Sequence, residues 1–441
     1  MAMVVKNNMS AVNTLNTLNK NSNALSKSLQ KVSSGMRINS AADDSSGYAI
    51  SERMRVQIRS LDQDNKNTQN GNSMMKVAEG AVSSTVEILK TLKEKVINAA
   101  NDTNTDADRQ TIQKELDQSI DQIDDNANVT YNGKYLVDGS HNSKTTATTT
   151  ALTNQSLSTA TTSGSAITNL KNRSGESLYI HSTDNITISY VKQGQTYSTT
   201  FSIGSQTFAN IIARTAYNGT STISGALEFK ASAPTDVIGK DGSGNTVYTA
   251  DRGCAMTLTA KSAGTDGQIA GFTISITDNT GKINKNANAV LDNFNESIRA
   301  QNASADNSLV LQTGTKANQA IKVSMTDMRS VALGLKGTDG TTLNVSTQTK
   351  ANAAITVLDN ALQKALDQQT TIGAVESRLE YTSSNLTTAS ENVRASESTI
   401  RDADMAQEMT EYTKNNVLLQ AAQSMLAQAN QNSSSVLSLL Q

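Results

Sequence analysis

Between Ala11 and Val32 the apolar positions alternate by four and three, through Ala11, Leu15, Leu18, Ser22, Leu25, Leu29 and Val32. This is the heptad seam of a helix that packs on another helix, and Gly35 predicts its stop. The polar loop NSAADDSSG offers Asp44 or Ser45 as the cap of a second helix running to about Asn98, with Val82, Ile88, Leu89, Leu92 and Val96 on its apolar face. A third helix starts at Asp106, carries Ile112, Leu116, Ile123 and Ala127 on one side, and ends before YNGKYLVDG. Near the other end Ile372, Leu379, Leu386, Val393 and Ile400 recur every seven residues, with Val375, Thr382, Ala389 and Ser396 in the alternate seam positions. They predict one helix on the order of 40 Å long. A last helix follows with Met405, Met409, Leu418, Leu419, Ala422, Met425, Leu426 and Ala429, an apolar face too broad for one partner. The chain closes on NSSSVLSLLQ, placing Val436, Leu437, Leu439 and Leu440 where a terminus is ordinarily frayed.

The middle lacks this period. Residues 140–170 are a Ser- and Thr-rich tract with the composition of a linker or open β segment. Strand-like alternation follows: Ile186, Ile188 and Tyr190, a KQGQ turn, then Tyr197, Phe201 and Ile203 predict a hairpin. Met256 and Leu258, then Phe272, Ile274 and Ile276, predict a second strand pair across a Gly-bearing turn. TFANIIARTAYNG and KNANAVLDNFNESIRAQN suggest short covering helices, and SLVLQTGTKANQAIKVSM another hairpin. The predicted fold is mainly α: a helical rod built from both chain ends, coiled-coil-like and with a β-hairpin, plus an inserted α+β central domain. Its expected divisions are 1–44 with 398–441 as inner helices, 45–139 with 308–397 as the helical rod domain, and 140–307 as the inserted outer domain.

Composition narrows the function. With 38 Lys and Arg against 40 Asp and Glu, the net charge of −2 implies no broad attraction to nucleic acid or an anionic membrane. No stretch approaches the roughly 18 apolar residues of a membrane span, and MAMVVKNNMSAVNTLNTLNKNSN lacks the unbroken apolar run of a cleaved secretory signal. The single Cys254 cannot form an intramolecular disulfide. His141 and His181 are forty residues apart, against the one helical turn that a zinc protease site needs. The glycines of GKDGSGN fit neither a P-loop nor a dinucleotide fingerprint, and the pairs Asp43–Asp44 and Asp402–Asp404 fit helix caps. No catalytic, cofactor-binding or metal-binding constellation is legible, so a non-enzyme is expected.

The stretches LQKVSSGMRINSAADDSSGYAISERMR (29–55) and AVESRLEYTSSNLTTASENVRASESTIRDADMAQEMTEYTKNNVLLQAAQSMLAQANQ (374–431) give the chain a resemblance to bacterial flagellins. It covers roughly residues 1–139 and 308–441. The resemblance implies a homopolymeric subunit of the extracellular flagellar filament, exported unfolded through the type III apparatus. Its implied partners are an export chaperone, a filament cap and hook-junction proteins. It also implies termini that order only on assembly. The Asn-rich NTLNTLNKNSN agrees, since Asn is a poor helix former and such a helix depends on packing. The assembly surface that the resemblance implies comprises the seam residues Leu15, Leu18, Leu25, Leu29, Val32, Leu418, Leu419, Met425 and Leu426 together with the terminal Val436, Leu437, Leu439 and Leu440.

Some flagellins are sensed by a Toll-like innate receptor. Here Glu94 and Glu115 match that surface, but Thr91 stands where a receptor-contacting Arg is expected and Lys95 where a Leu is, so weakened signalling is expected. Rival readings are a hook-filament junction protein, a coiled-coil signalling protein, which would need a membrane segment or a sensory partner domain, and an enzyme or adhesin displayed by the insert. The Ser and Thr of residues 143–163 could accept O-linked sugars, with polar linker as the plainer role.

Overall fold

The computed structural model describes residues 8–162, 164–214, 216–217, 221–222, 227–232, 237–248 and 255–439. Long helices come from the two ends: α1 (Met9–Ser34), α2 (Ser45–Ala99) and α3 (Asp106–Ala127) before the middle of the chain. After it come α6 (Gln348–Arg401) and α7 (Met405–Leu439). The caps follow the sequence. Gly35 takes the left-handed conformation (φ 69°) and returns its N–H to the Lys31 carbonyl. Asp44 accepts from the Ser46 and Gly47 amides, and Thr105 and Asp108 form a capping box on α3. α6 begins at Gln348, well ahead of the expected Ile372. Its early turns bury Ala351, Ala354, Leu358, Ala361 and Ala365, mostly small residues at helical spacing that a search for large aliphatic heptads passes over.

The strands between are β1 (Thr130–Tyr131), β2 (Lys134–Tyr135), β3 (Ala151–Asn154), β4 (Asn185–Lys192), β5 (Gln195–Ser202), β6 (Ala216–Tyr217), β7 (Ser221–Thr222) and β8 (Leu227–Ser232), followed by β9 (Val237–Lys240), β10 (Thr246–Tyr248), β11 (Ala255–Ala260), β12 (Ile269–Thr277), β13 (Asn295–Ile298), β14 (Leu309–Gln312) and β15 (Ala320–Val323). Two short helices, α4 (Phe208–Arg214) and α5 (Lys285–Leu291), interrupt them. β13-β3-β11-β8 form one antiparallel sheet and β12-β4-β5 another. β4 and β5 make the predicted hairpin, turned by Gln193 (φ 51°) and Gly194 (φ 74°), and β14 pairs with β15. Three expectations are corrected. β11 and β12 do not pair with each other: β11 sits between β3 and β8, and β12 lies on β4. β3 falls inside the tract expected to be a linker or open β segment yet is an inner strand with all four residues buried, so it shows none of the alternation of a half-exposed strand. KNANAVLDNFNESIRAQN likewise divides into α5 and β13.

The chain forms two compact units. One comprises Met1–Thr68, Gln312–Gln319 and Tyr381–Gln441; the other comprises Gln69–Leu311 and Ala320–Glu380. The second holds two large hydrophobic cores and a small cluster of Ala151, Ile238 and Ile298. Val82, Leu89, Leu92 and Val96 of α2, Leu116, Ile120 and Ile123 of α3, and the first half of α6 share one. Leu152, Ile186, Ile188, Met256, Leu258, Phe272 and Ile274 share the other, which draws on both larger sheets. The chain leaving α3 and the chain returning from β13 run side by side. Thr145 and Ser304 exchange backbone hydrogen bonds (3.1 and 3.0 Å), and Thr148 bonds Gln301 (3.1 Å). Arg299 joins this segment to α6, reaching Asp367 at 2.7 Å and Glu296 at 3.3 Å. Lys364 donates to the Ala332 carbonyl (2.9 Å). Burial pushes Glu296 up to about 7 against the pull of the Arg299 and Lys364 cations. Burial also pushes Asp292 up to about 6.

Candidate assembly surface

In the first unit α1 and α7 pair antiparallel. The register is written in polar bonds: Asn8 to the Ala429 carbonyl (3.1 Å), Asn21 to the Leu418 carbonyl (3.2 Å), Asn415 to the Ser28 hydroxyl (3.1 Å) and Lys31 to Glu408 (3.1 Å). Rising numbers on α1 meet falling numbers on α7. The Asn residues that weaken each helix alone are thus partly those that fix its partner's position.

Where α1 ends, the chain is pinned to the end of α6. The Ala403 amide donates to the Gly35 carbonyl (3.0 Å), the Arg37 amide to the Arg401 carbonyl (2.7 Å), and the Arg37 guanidinium to the Ile400 carbonyl (2.7 Å). Arg401 is buried. Its guanidinium bonds Glu52 (2.6 Å) and Ser51 (3.3 Å) and lies 5.3 Å from the Tyr48 ring centroid. The same guanidinium beside Glu52 holds that carboxyl below its usual range. α2 and α6 are joined in this unit by further polar pairs, Asp62 with Ser390 (2.9 Å) and Arg394 (2.6 Å), and Asn65 with Ser383 (2.7 Å).

This unit buries few apolar side chains: among the described residues, Ile38, Leu61, Leu386 and Ala422. Along the helix pair the large ones face solvent. Leu15 is 45% exposed, Leu29 52%, Leu418 42% and Met425 63%, while Leu18, Leu25, Val32, Leu419 and Leu426 are half-buried. Met9, Val12, Met405, Met409 and Val417 are exposed as well. Met9, Val12 and Val417 stand outside the seams that the heptads mark. Leu440 lies outside the described residues, as do the side chains of Val436, Leu437 and Leu439. A groove along α7 is lined by Met409, Thr413, Val417 and Leu418. Covering a large aliphatic side chain is worth about 1.5–3 kcal/mol, a gain left unrealised along both helices of the pair.

In the second unit Lys95 bonds Glu115 (3.0 Å) while Glu94 is exposed. His141 meets the Asn307 carbonyl (3.2 Å) and His181 is exposed. Among the described residues no group of His, Cys, Asp and Glu is placed to hold a metal ion. No helix of the described residues is long and apolar enough to cross a membrane.

Two family models match the chain: the bacterial flagellin N-terminal helical region over residues 5–142 and the bacterial flagellin C-terminal helical region over residues 355–440. A flagellin of Clostridium tyrobutyricum is 34% identical, covering 97% of this chain and 99% of its own. A flagellin of Bacillus subtilis is 30% identical, covering 99% of this chain and 100% of its own. The solved flagellar hook associated protein-3 of Legionella pneumophila aligns at 15% identity over 78% of this chain and 97% of that one, with a TM-score of 0.33.

Proposed function

Because the chain belongs to the bacterial flagellin family, we propose that it works by coupled folding and association, each copy supplying the cover that its neighbours' terminal helices lack. It is a structural subunit of the flagellar filament and serves swimming motility. The observation that carries the mechanism is the row of exposed Leu15, Leu29, Leu418 and Met425 on a helix pair whose register is set by polar bonds. Ordering backbone costs roughly 1–2 kcal/mol per residue, so such a pair gains most of its stability from burial against other copies. Leu18, Leu25, Val32, Leu419 and Leu426 belong to the same surface, and Val436, Leu437, Leu439 and Leu440 extend it. The three-part division, with residues 140–307 as the outer variable domain, is part of this reading, as is the absence of catalysis.

The flagellum is its location. Secretion to the cell exterior by type III export, with an export chaperone, a filament cap and hook-junction proteins as partners, completes the proposal. Recognition by a Toll-like receptor through Glu94 and Glu115 is weakened, since Lys95 engages Glu115 in an ion pair and Thr91 offers no guanidinium. A cell reporter responding as it does to a strong agonist would refute that part. The mechanism is tested by negative-stain electron microscopy of the purified protein with and without residues 431–441: the full chain forms thin filaments, and the shortened chain stays dispersed. Filaments of undiminished yield from the shortened chain would refute it.

A further inference from the structure

The first unit contains a second open groove, of about 510 Å3, between one face of α2 and the loop that follows β14. Val56, Arg59, Gln63 and Asp64 line one wall and Thr315 and Lys316 the other. Asp64 stands out chemically. Only 6% of it is exposed, and its Oδ2 atom is buried with no hydrogen-bond partner. A carboxylate so placed destabilises a protein unless something supplies a cation or a donor, and burial raises its pKa. Arg59 and Lys316 have no carboxylate partner among the described residues. The loop's own polar groups are spent internally: the Gln312 side chain donates to the Gly314 and Lys316 carbonyls (2.6 and 2.9 Å), and the Gln319 side chain accepts from the Lys316 amide (3.2 Å). Val56, 61% exposed, adds an uncovered apolar patch at the rim.

We infer that this groove is a polar socket for a second copy of the chain, in which a Lys or Arg of the neighbour completes Asp64 and an Asp or Glu of the neighbour meets Arg59 or Lys316. The inference rests on the filament reading above. A second copy fits better than a small ligand for two reasons. The groove is open along its length, so a small molecule would stay largely in water. Its charges also alternate in sign, as do surface pairs that the chain itself carries, such as Glu411 with Lys414. A net charge of −2 leaves little repulsion between copies.

The socket predicts effects of opposite sign on protomer and polymer. Asp64→Asn and Asp64→Ala remove a buried, uncompensated carboxylate, so the thermal midpoint of the dispersed protein at pH 7.5 holds or rises. They also remove the partner of the neighbour's cation, so the critical concentration for polymerisation rises about tenfold or more, the scale of a lost charged hydrogen bond. Arg59→Ala raises it by a smaller factor. A critical concentration unchanged in both Asp64 variants overturns the socket. So does a fall in the midpoint of Asp64→Asn, which would mean that Asp64 is satisfied within its own chain. Failure of the unaltered protein to polymerise at all would instead refute the filament reading.

Discussion

The same residue types behave differently in the two units. Leu89, Leu92 and Val96 of α2, at helical spacing in the second unit, are at most 1% exposed. Leu15 and Leu29 of α1, at equally regular spacing in the first unit, are about half exposed. The difference lies in the number of apolar faces each helix meets. α2 contributes there to a core shared with α3, β15 and α6, whereas α1 has chiefly α7 beside it and bonds it through Asn, Ser, Lys and Glu. One unit is a finished fold; the other is a fold with a side left open, and periodicity alone does not distinguish them.

The sharpest test applies one truncation to both. Leu89→Ala should destabilise the protein by about 2–5 kcal/mol, the cost of a core cavity, lowering the urea midpoint monitored by far-UV circular dichroism. A loss under 1 kcal/mol would mean that the second unit is not the rigid partner in the comparison.

Acid and base probe the finished unit next. Glu296, with Arg299 beside it, Lys364 and Asp367 on α6, and Asp327 near Lys364, has a folded pKa raised to about 7 from its ordinary 4.5. Its contribution is therefore fully present below about pH 4.5 and is lost as pH rises through about 7, by up to about 3 kcal/mol. Asp292 acts in the same sense between about pH 4 and 6. Glu296→Gln should flatten the fall in stability between pH 5 and pH 8, measured as the difference in urea midpoints, and a variant that tracks the unaltered protein across that range would contradict the assignment.

A smaller loss is expected at Gly194. Its positive φ disfavours any side chain, and a Cβ there would run into the Thr341 carbonyl oxygen. Gly194→Ala should cost at least about 1 kcal/mol, read from the thermal midpoint.

Leu29→Ala closes the comparison at its weak end. In the dispersed protomer the change should stay within about 0.5 kcal/mol, while sedimentation of polymer from soluble protein should show assembly shifted to higher concentration. A protomer destabilised as strongly as by Leu89→Ala would erase the distinction between the units.

Much of this was legible in the sequence. Gly35, Asp44 and Asp106 mark helix ends because the chemistry there is local: a left-handed residue, a carboxylate on free amides, and the first residue after the Thr105 cap. The β4–β5 hairpin was legible for the same reason, its turn being two residues long. What escaped depends on distant partners. β3 is buried throughout, so ALTN carries no alternation. β11 and β12 are near neighbours in sequence, yet each finds its partner elsewhere, β11 on β3 and β8 and β12 on β4. The first turns of α6 are packed through alanines, whose apolar contribution is small one by one. For the assembly surface, the heptads placed Leu15, Leu29, Leu418 and Met425 on seams, but that these stay open in the protomer follows from counting the faces that cover them. Asp64 gave no signal, being one acid among many until the loop after β14 closed over it.

The zipped stems at Thr145–Ser304 and Thr148–Gln301 have an evolutionary consequence. Chain leaves and rejoins the helical framework at neighbouring positions, so the two ends of whatever lies between sit about one strand spacing, roughly 5 Å, apart, while Val191 and Ala270 of that segment also pack into the core shared by α2, α3 and α6. A replacement for this segment, by recombination in nature or by grafting at the bench, would therefore have to reproduce both the paired stems and the apolar patch that Val191 and Ala270 lay on α6.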